Sequence, residues 1–172
     1  MKSQARSEGE FLELVQANRQ RILRICRVYA WTPQDQEDLY QDVLFQIWRA
    51  LPGLNHKVLA NTWLYRVTLN TAMSFSRKHA RQRSAQPVEG AELRQMAEER
   101  QGVAEATDPR LEALYEAIGL LNETERAAIT LFLEGLSYDE IAGVLGLEAG
   151  HIGVLLHRAK KKLSQLMTEE LA

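Results

Sequence analysis

The chain has 172 residues, of which 45% are hydrophobic, 26% charged and 7% aromatic, and its formal net charge is −2. This length suits one compact domain or two small ones. The sequence has no apolar run of about 18 residues and no apolar leader, so we expect no membrane span and no secretory signal. A single cysteine, Cys26, and four dispersed histidines predict no disulfide and no metal site, so we expect a cytoplasmic protein without a cofactor.

The first two predicted elements are helices, because their apolar residues recur with helical spacing. The first is expected over residues 10–29, with Cys26 packed on its apolar side. Thr32 and Pro33 predict the start of the second, as N-cap and first helical residue, with Asp35 completing the cap.

The second helix has a wider apolar arc than a small helical module needs for its core. Leu44, Phe45 and Trp48 widen the arc, and Asp38, Gln41 and Asp42 border the extension. An apolar patch with a polar rim is typical of a protein-binding surface. The alternative is that Phe45 and Trp48 pack beneath a linker.

A loop over residues 54–61 leads into a third helix, which is expected to begin near Thr62 and to fade through Arg83. Opposite its core face, one stripe combines aromatic, amide and guanidinium side chains, namely Trp63, Arg66, Asn70 and Arg77. Such side chains can stack on bases and bind phosphates, which predicts a nucleic-acid surface. The alternative is that Trp63 is mostly buried.

Residues 84–107 contain proline, glycine and many Gln, Ala and Glu, but no aromatic residue. This composition predicts a mobile, mildly acidic linker. We therefore expect an all-α protein of two small helical modules, residues 1–83 and 108–172, joined by that linker.

The C-terminal module is expected to begin with a helix opened by Asp108 and Pro109. Capping boxes are predicted at 122–125 and 137–140. The second box starts a short helix, which a tight turn around Gly146 separates from a longer helix beginning near Ala149. This spacing is typical of a helix-turn-helix, whose second helix can enter the DNA major groove. The alternative is an ordinary αα-hairpin with a polar outer face.

Positive charge is concentrated in three runs, although the chain as a whole is slightly acidic. The runs are Arg19, Arg21, Arg24 and Arg27; Arg77, Lys78, Arg81 and Arg83; and Arg158, Lys160, Lys161 and Lys162. Acidic residues gather elsewhere, at 35–42 and 112–148. Local basic runs can bind phosphates, but each run is also explained as the solvated face of a helix.

Two segments of the C-terminal module, LSYDEIA at 136–142 and LLHRAKKKL at 155–163, resemble region 4 of bacterial sigma factors and, less closely, the output domain of response regulators. Two N-terminal segments, DQEDLYQDV at 35–43 and TWLYRVTLN at 62–70, resemble region 2 of the extracytoplasmic-function (ECF) sigma factors. Both regions in this order cover nearly the whole chain. A response regulator would need a receiver module, and an enzyme would need converging catalytic groups; neither is found in the sequence.

The resemblance implies a non-catalytic initiation subunit of RNA polymerase that takes no small-molecule substrate and is not itself inserted in a membrane. It implies that region 2 docks on the clamp helices of core polymerase through Asp38, Gln41, Asp42, Phe45 and Trp48. It also implies that region 2 melts the −10 promoter element and traps a flipped base, through Asn55, His56, Lys57, Trp63, Arg66, Asn70, Arg77, Lys78 and Arg81. The commonest regulatory partner in the family is an anti-sigma factor, so one is expected here.

Region 4 is implied to bind the polymerase flap and to read the −35 element through Gly150, His151, Val154, His157, Arg158 and Lys161. The chain departs from the family pattern in two places. Asn55 and Ala60 stand where the loop usually carries a basic and an aromatic residue, and residues 153–155 (GVL) replace the usual polar run of the reading helix. The alternative function is a stand-alone helix-turn-helix transcription regulator.

Overall fold

The structure is a computed structural model that describes residues 2–54, 60–85 and 108–170, and the side chains of 8–54, 61–82 and 108–168. All regular secondary structure in these ranges is helical, as predicted. The α-helices are α1 (Lys2–Tyr29), α2 (Pro33–Ala50), α3 (Ala60–Ala85), α4 (Pro109–Gly119), α5 (Glu123–Leu133), α6 (Tyr138–Leu145) and α7 (Ala149–Glu170), with a 3₁₀ turn at Leu51–Gly53. The predicted loop residues 55–59 and most of the predicted linker, 86–107, lie outside the described residues.

The helix starts predicted from capping residues are confirmed, with two exceptions in detail, since neither Asp35 nor Glu125 closes the box expected of it. The Thr32 hydroxyl accepts from the backbone N–H of Asp35, the Asp108 carboxylate accepts from that of Arg110, and Ser137 forms a complete capping box with Glu140. Asn122 caps α5, but the Glu125 carboxylate accepts two hydrogen bonds from Lys162 of α7 instead of closing a box. Hydrogen bonds between two ionised groups are among the strong ones that a carboxylate can accept.

The N-terminal module consists of α1, α2 and α3, which all pack on one another. Its fully buried side chains include Ile22, Ile25, Leu39, Ile47, Leu64 and Leu69. Cys26 is buried among them, as predicted, and burial raises the pKa of its thiol to about 12. Helix α1 begins eight residues before the predicted start at Glu10, since residues 2–9 are mostly good helix formers without an apolar pattern.

In the C-terminal module, α4 to α7 enclose Ile118, Leu131, Ile141, Ile152 and Leu156. Helices α6 and α7 form the predicted helix-turn-helix, and Ala142 of α6 is buried at their junction. Gly146 ends α6 with φ of 69°, a left-handed conformation that favours glycine.

The two modules pack against each other: α1 contacts α4, and α3 contacts α5 and α6. Two glycines of the C-terminal module lie at this contact. A Cβ atom at Gly119 would lie 3.6 Å from the Trp31 ring, and one at Gly143 would lie 3.8 Å from Cγ2 of Thr62. Within the described ranges, no helix is long and apolar enough to span a bilayer.

Candidate functional site

The predicted protein-binding patch lies along the exposed edge of α2. Phe45 is 60% exposed and Trp48 38% exposed, and the Trp48 ring packs edge-on against Phe11 at 5.2 Å between centroids. The alternative, in which Phe45 and Trp48 pack beneath the linker, involves residues that lie outside the described ones. Trp48 is partly covered by α1, which fixes its ring at the rim of the patch.

The polar rim of the patch is exposed as predicted, at Asp38, Gln41 and Asp42. Gln34 donates to Asp38 and Gln41 donates to Glu37, each across one helical turn. Such pairs orient the rim side chains before a partner arrives. The site therefore combines exposed aromatic side chains, the type enriched in binding hot spots, with a polar edge.

A cleft of about 610 Å³ separates this patch from the exposed side of α3. Asp42 and Phe45 line it from α2, and Asn70 and Lys78 line it from α3. Asn70 is exposed, so its amide is accessible from this cleft. The structure thus brings predicted polymerase-binding and predicted −10-binding residues onto adjoining surfaces.

The predicted nucleic-acid stripe of α3 is only partly open to solvent. Trp63 is half-buried against the core, between the two predicted alternatives. Arg66 donates to the carbonyl oxygens of Gly143 and Val144 in α6. Arg77 forms a two-pronged ion pair with Glu123, and this hydrogen bonding lowers the pKa of the Glu123 carboxyl. Both guanidiniums therefore contact the C-terminal module.

The structure describes two of the remaining predicted −10 residues and leaves the other three undescribed. Lys78 and Arg81 are exposed near the end of α3. Asn55, His56 and Lys57 belong to the segment that the structure does not describe. Among described residues, no cluster of His, Cys, Asp or Glu is arranged to hold a metal ion.

The outer face of α7 presents every predicted −35 residue to solvent. These are Gly150, His151, Val154, His157, Arg158 and Lys161. Gly153 is partly buried, and a Cβ atom there would lie 3.7 Å from the Tyr138 ring.

Two lysines of the third basic run contact their own module. The ammonium of Lys160 lies 4.0 Å from the centroid of the Phe132 ring, and Lys162 binds Glu125, which is 3% exposed. Both belong to the run predicted either to bind phosphates or to form a solvated helix face, and both remain exposed. Arg158 and Lys161 are exposed as well, on the outer side of α7.

The contacts that sequence reasoning missed are ion pairs between the two modules. Arg24 of the first basic run donates to Glu134, and Arg27 of the same run donates to Glu112 and lies over the Tyr115 ring. Arg24 stays about half-exposed in its ion pair and Arg27 is partly buried, so the solvated-face interpretation describes this run only in part. The first basic run and the acidic residues at 112–148 carry opposite charges, and this is the sequence signal that could have predicted these ion pairs.

Comparison with known families and proteins fits this arrangement of two helical modules. The family model for sigma-70 region 2 matches residues 14–82, and that for sigma-70 region 4 matches residues 111–163. An RNA polymerase sigma-E factor of Streptomyces antibioticus is 31% identical over 166 residues, which cover 94% of this chain and 87% of that protein. The ECF RNA polymerase sigma factor SigE of Mycolicibacterium smegmatis is 30% identical over 159 residues, which cover 91% of this chain and 61% of that protein.

Two solved structures share the fold. The sigma factor RpoE of Bartonella quintana, in complex with the anti-sigma factor NepR, has a TM-score of 0.68 at 22% identity, covering 94% of this chain and 96% of that one. CnrH, in complex with the cytosolic domain of CnrY, has a TM-score of 0.67 at 24% identity, covering 94% and 90%.

The chain belongs to the sigma-70 family of transcription initiation factors. Within that family it is an ECF sigma factor, with regions 2 and 4 as its two helical modules. Sigma factors direct RNA polymerase to promoters and have no catalytic activity of their own.

Proposed function

We propose that this sigma factor binds core RNA polymerase through the α2 patch, opens the −10 element with α3, and contacts the −35 element with α7. The observation that carries the proposal is the exposure of Phe45 and Trp48 beside the rim of Asp38, Gln41 and Asp42. An aromatic patch of this size on a small module is poorly explained without a protein partner. The clamp helices of polymerase are the partner that the family implies.

The −10 assignment rests on the side of α3 that borders the cleft. Asn70 can hydrogen-bond an unpaired base, and Lys78 and Arg81 can hold the phosphates next to it. Trp63, Arg66 and Arg77 complete the surface, together with the loop residues Asn55, His56 and Lys57. A flipped base costs a few kcal/mol in lost stacking and pairing, and a stacking surface offsets that cost.

The −35 assignment rests on the outer face of α7, where a helix-turn-helix presents its second helix to DNA. Gly150 and Val154 offer no long donor for bidentate contact to guanine, so Val154 can only pack on a group such as a thymine methyl. Arg158 and Lys161 can bind phosphates, which position the module without specifying sequence. His151 and His157 supply modest selectivity.

Two further parts of the proposal concern partners and location. The solved structures that share this fold are complexes with NepR and with the cytosolic domain of CnrY. We propose that an anti-sigma factor likewise binds this chain, and that the α2 patch is part of its binding surface. The protein would act in the cytoplasm, where RNA polymerase transcribes.

Run-off transcription tests the proposed function. Core polymerase is mixed with this chain and a fragmented bacterial genomic DNA library, and the transcripts are sequenced. We expect transcripts with shared start sites that appear only when both proteins are present. Transcription that never depends on this chain, combined with DNA binding by the chain alone, would instead indicate a stand-alone regulator.

A further inference from the structure

Two exposed apolar side chains lie on the outer side of the helix-turn-helix, one on each of its helices. Tyr138, the first residue of α6, is 43% exposed, and Val154 of α7 is 46% exposed. Other side chains, such as Ile141 of α6 and Ile152 of α7, fill the core of the module. Single apolar residues are normal on a protein surface, so the pair is informative only through its arrangement.

The Tyr138 ring lies against the backbone of α7, because position 153 has no side chain. A Cβ atom at Gly153 would already touch Cε2 of Tyr138, at 3.7 Å, so a longer side chain there would displace the ring. The capping box of Ser137 and Glu140 fixes the start of α6 and thereby the place of Tyr138. The chain thus presents an aromatic ring from α6 where the usual reading helix presents a polar side chain of its own.

A notch lies between the Tyr138 ring and the Val154 side chain. Gly150 precedes Gly153 by three residues and Val154 by four, so it lies between them on the surface of α7. Gly150 is exposed, and a Cβ atom there would meet nothing within 4 Å. The notch therefore has an open glycine floor and an apolar wall on each side.

The notch opens on the side of α7 that is proposed to face DNA. Gly150 is the second residue of α7, and in a helix-turn-helix the N-terminal residues of the second helix contact base edges. Arg158 and Lys161 are exposed further along the helix, where they can bind phosphates. The notch is thus continuous with the cationic part of the proposed −35 surface.

We propose that Tyr138 and Val154 together hold the 5-methyl group of a thymine in the −35 element, which makes Tyr138 a specificity-determining residue. This inference rests on the proposed binding of α7 to the −35 element and names the group that is read there. Thymine presents a methyl group in the major groove, and apolar side chains recognise it. Cytosine presents an amino group and no methyl group, so it leaves both walls of the notch without an apolar partner.

Replacement of thymidine by deoxyuridine tests the proposal, because it removes the 5-methyl group and keeps the pairing with adenine. The full chain first selects duplexes at low salt from a pool with a randomised central segment. The preferred duplex is then remade with deoxyuridine at one thymine at a time, and fluorescence anisotropy measures each affinity. We expect a position at which loss of the methyl group weakens binding about four-fold, as burial of one methyl group implies. A pool without a preferred sequence, or a preferred duplex in which no methyl group affects affinity, would overturn the inference.

Variants of Tyr138 assign the effect to its ring. Tyr138→Ala should bind the thymine and deoxyuridine duplexes equally, whereas Tyr138→Phe should keep the difference because it keeps the ring. Gln165→Ala, an exposed change further along α7, is the matched control and should keep the difference too. A difference that persists in Tyr138→Ala would show that the methyl group is read elsewhere.

The variant Gly150→Ala separates a loss of reading from a loss of fold. Because a Cβ atom there meets nothing in the protein and alanine favours helices, the variant should keep or raise the thermal midpoint. The added methyl group fills the floor of the notch, so we expect the preference for thymine over deoxyuridine to disappear. A stable variant with an unchanged preference would contradict the notch as the reading site.

Transcription assays distinguish failure of this inference from failure of the proposed function. Transcription by core polymerase that depends on the chain, without any thymine effect, would overturn the reading by Tyr138 alone. A thymine effect in a chain that never supports transcription would refute the proposed function and retain the inference for a stand-alone regulator.

Discussion

The guanidinium of Arg24 donates hydrogen bonds of 2.7 and 2.8 Å to the carboxylate of Glu134, across a sequence separation of 110 residues. This hydrogen bonding raises the pKa of Arg24, whose charge is permanent in any case. The Glu134 side chain is only 5% exposed. The pair joins the region 2 module to the region 4 module, so the two modules are neighbours in space as well as in function.

Limited proteolysis can test both the linker and the contact between the two modules. The predicted linker is shortened to residues 86–107, because α3 continues to Ala85. Limited proteolysis should cut there first and leave two helical fragments. Because ion pairs join the modules, we expect the fragments to co-elute in gel filtration at low salt and to separate at high salt. Early cleavage inside either module would contradict the prediction.

The stability of the region 4 module is predicted to depend on Lys162. Its ammonium donates to both oxygens of Glu125, which is 3% exposed. Lys162→Met leaves that buried carboxylate without its cation, and we expect a loss of about 1–3 kcal/mol in the free energy of unfolding, the usual cost of an unpaired buried polar group. Urea denaturation measures it, with Lys161→Met as the exposed control. Equal midpoints for the two variants would show that Glu125 finds another partner.

Several features of the fold could be predicted from the sequence because their signals are local. The cap of α2 by Thr32, the helix-turn-helix around Gly146 and the exposed Phe45 each follow from residues within a few positions of one another. The pairs Arg24–Glu134 and Arg77–Glu123 span 110 and 46 residues, and helical periodicity carries no information at that range. The contacts of Lys160 and Lys162 could not be predicted for the same reason, since their partners lie on α5.

The amide of Asn70 is predicted to act after polymerase has bound. Asn70 is exposed and borders the cleft between α2 and α3. Asn70→Ala should slow open-complex formation, measured by permanganate footprinting, while leaving the affinity for core polymerase unchanged. Gln82→Ala, an exposed change near the end of α3, is the matched control. An equal loss in polymerase affinity would place Asn70 on the docking surface instead.

The −35 contact is predicted to depend mainly on charge. Binding of the chain to duplex −35 DNA should weaken steeply with salt, and Arg158→Ala or Lys161→Ala should each reduce the slope of log K against log salt by about 1. Single base substitutions across the element should have small effects. Losses of about 1–3 kcal/mol at several guanine or cytosine positions, the usual cost of a lost direct contact, would contradict this view of α7.

Affinity for core RNA polymerase tests the central claim most directly. The wild-type chain should bind core polymerase tightly in a fluorescence assay, and the double variant Gln41→Ala, Asp42→Ala should bind weakly while keeping its helical circular dichroism and thermal midpoint. Gln165→Ala, an exposed change on α7, should bind like wild type. Wild-type affinity in the α2 double variant would contradict the assignment of α2 as the polymerase-docking surface.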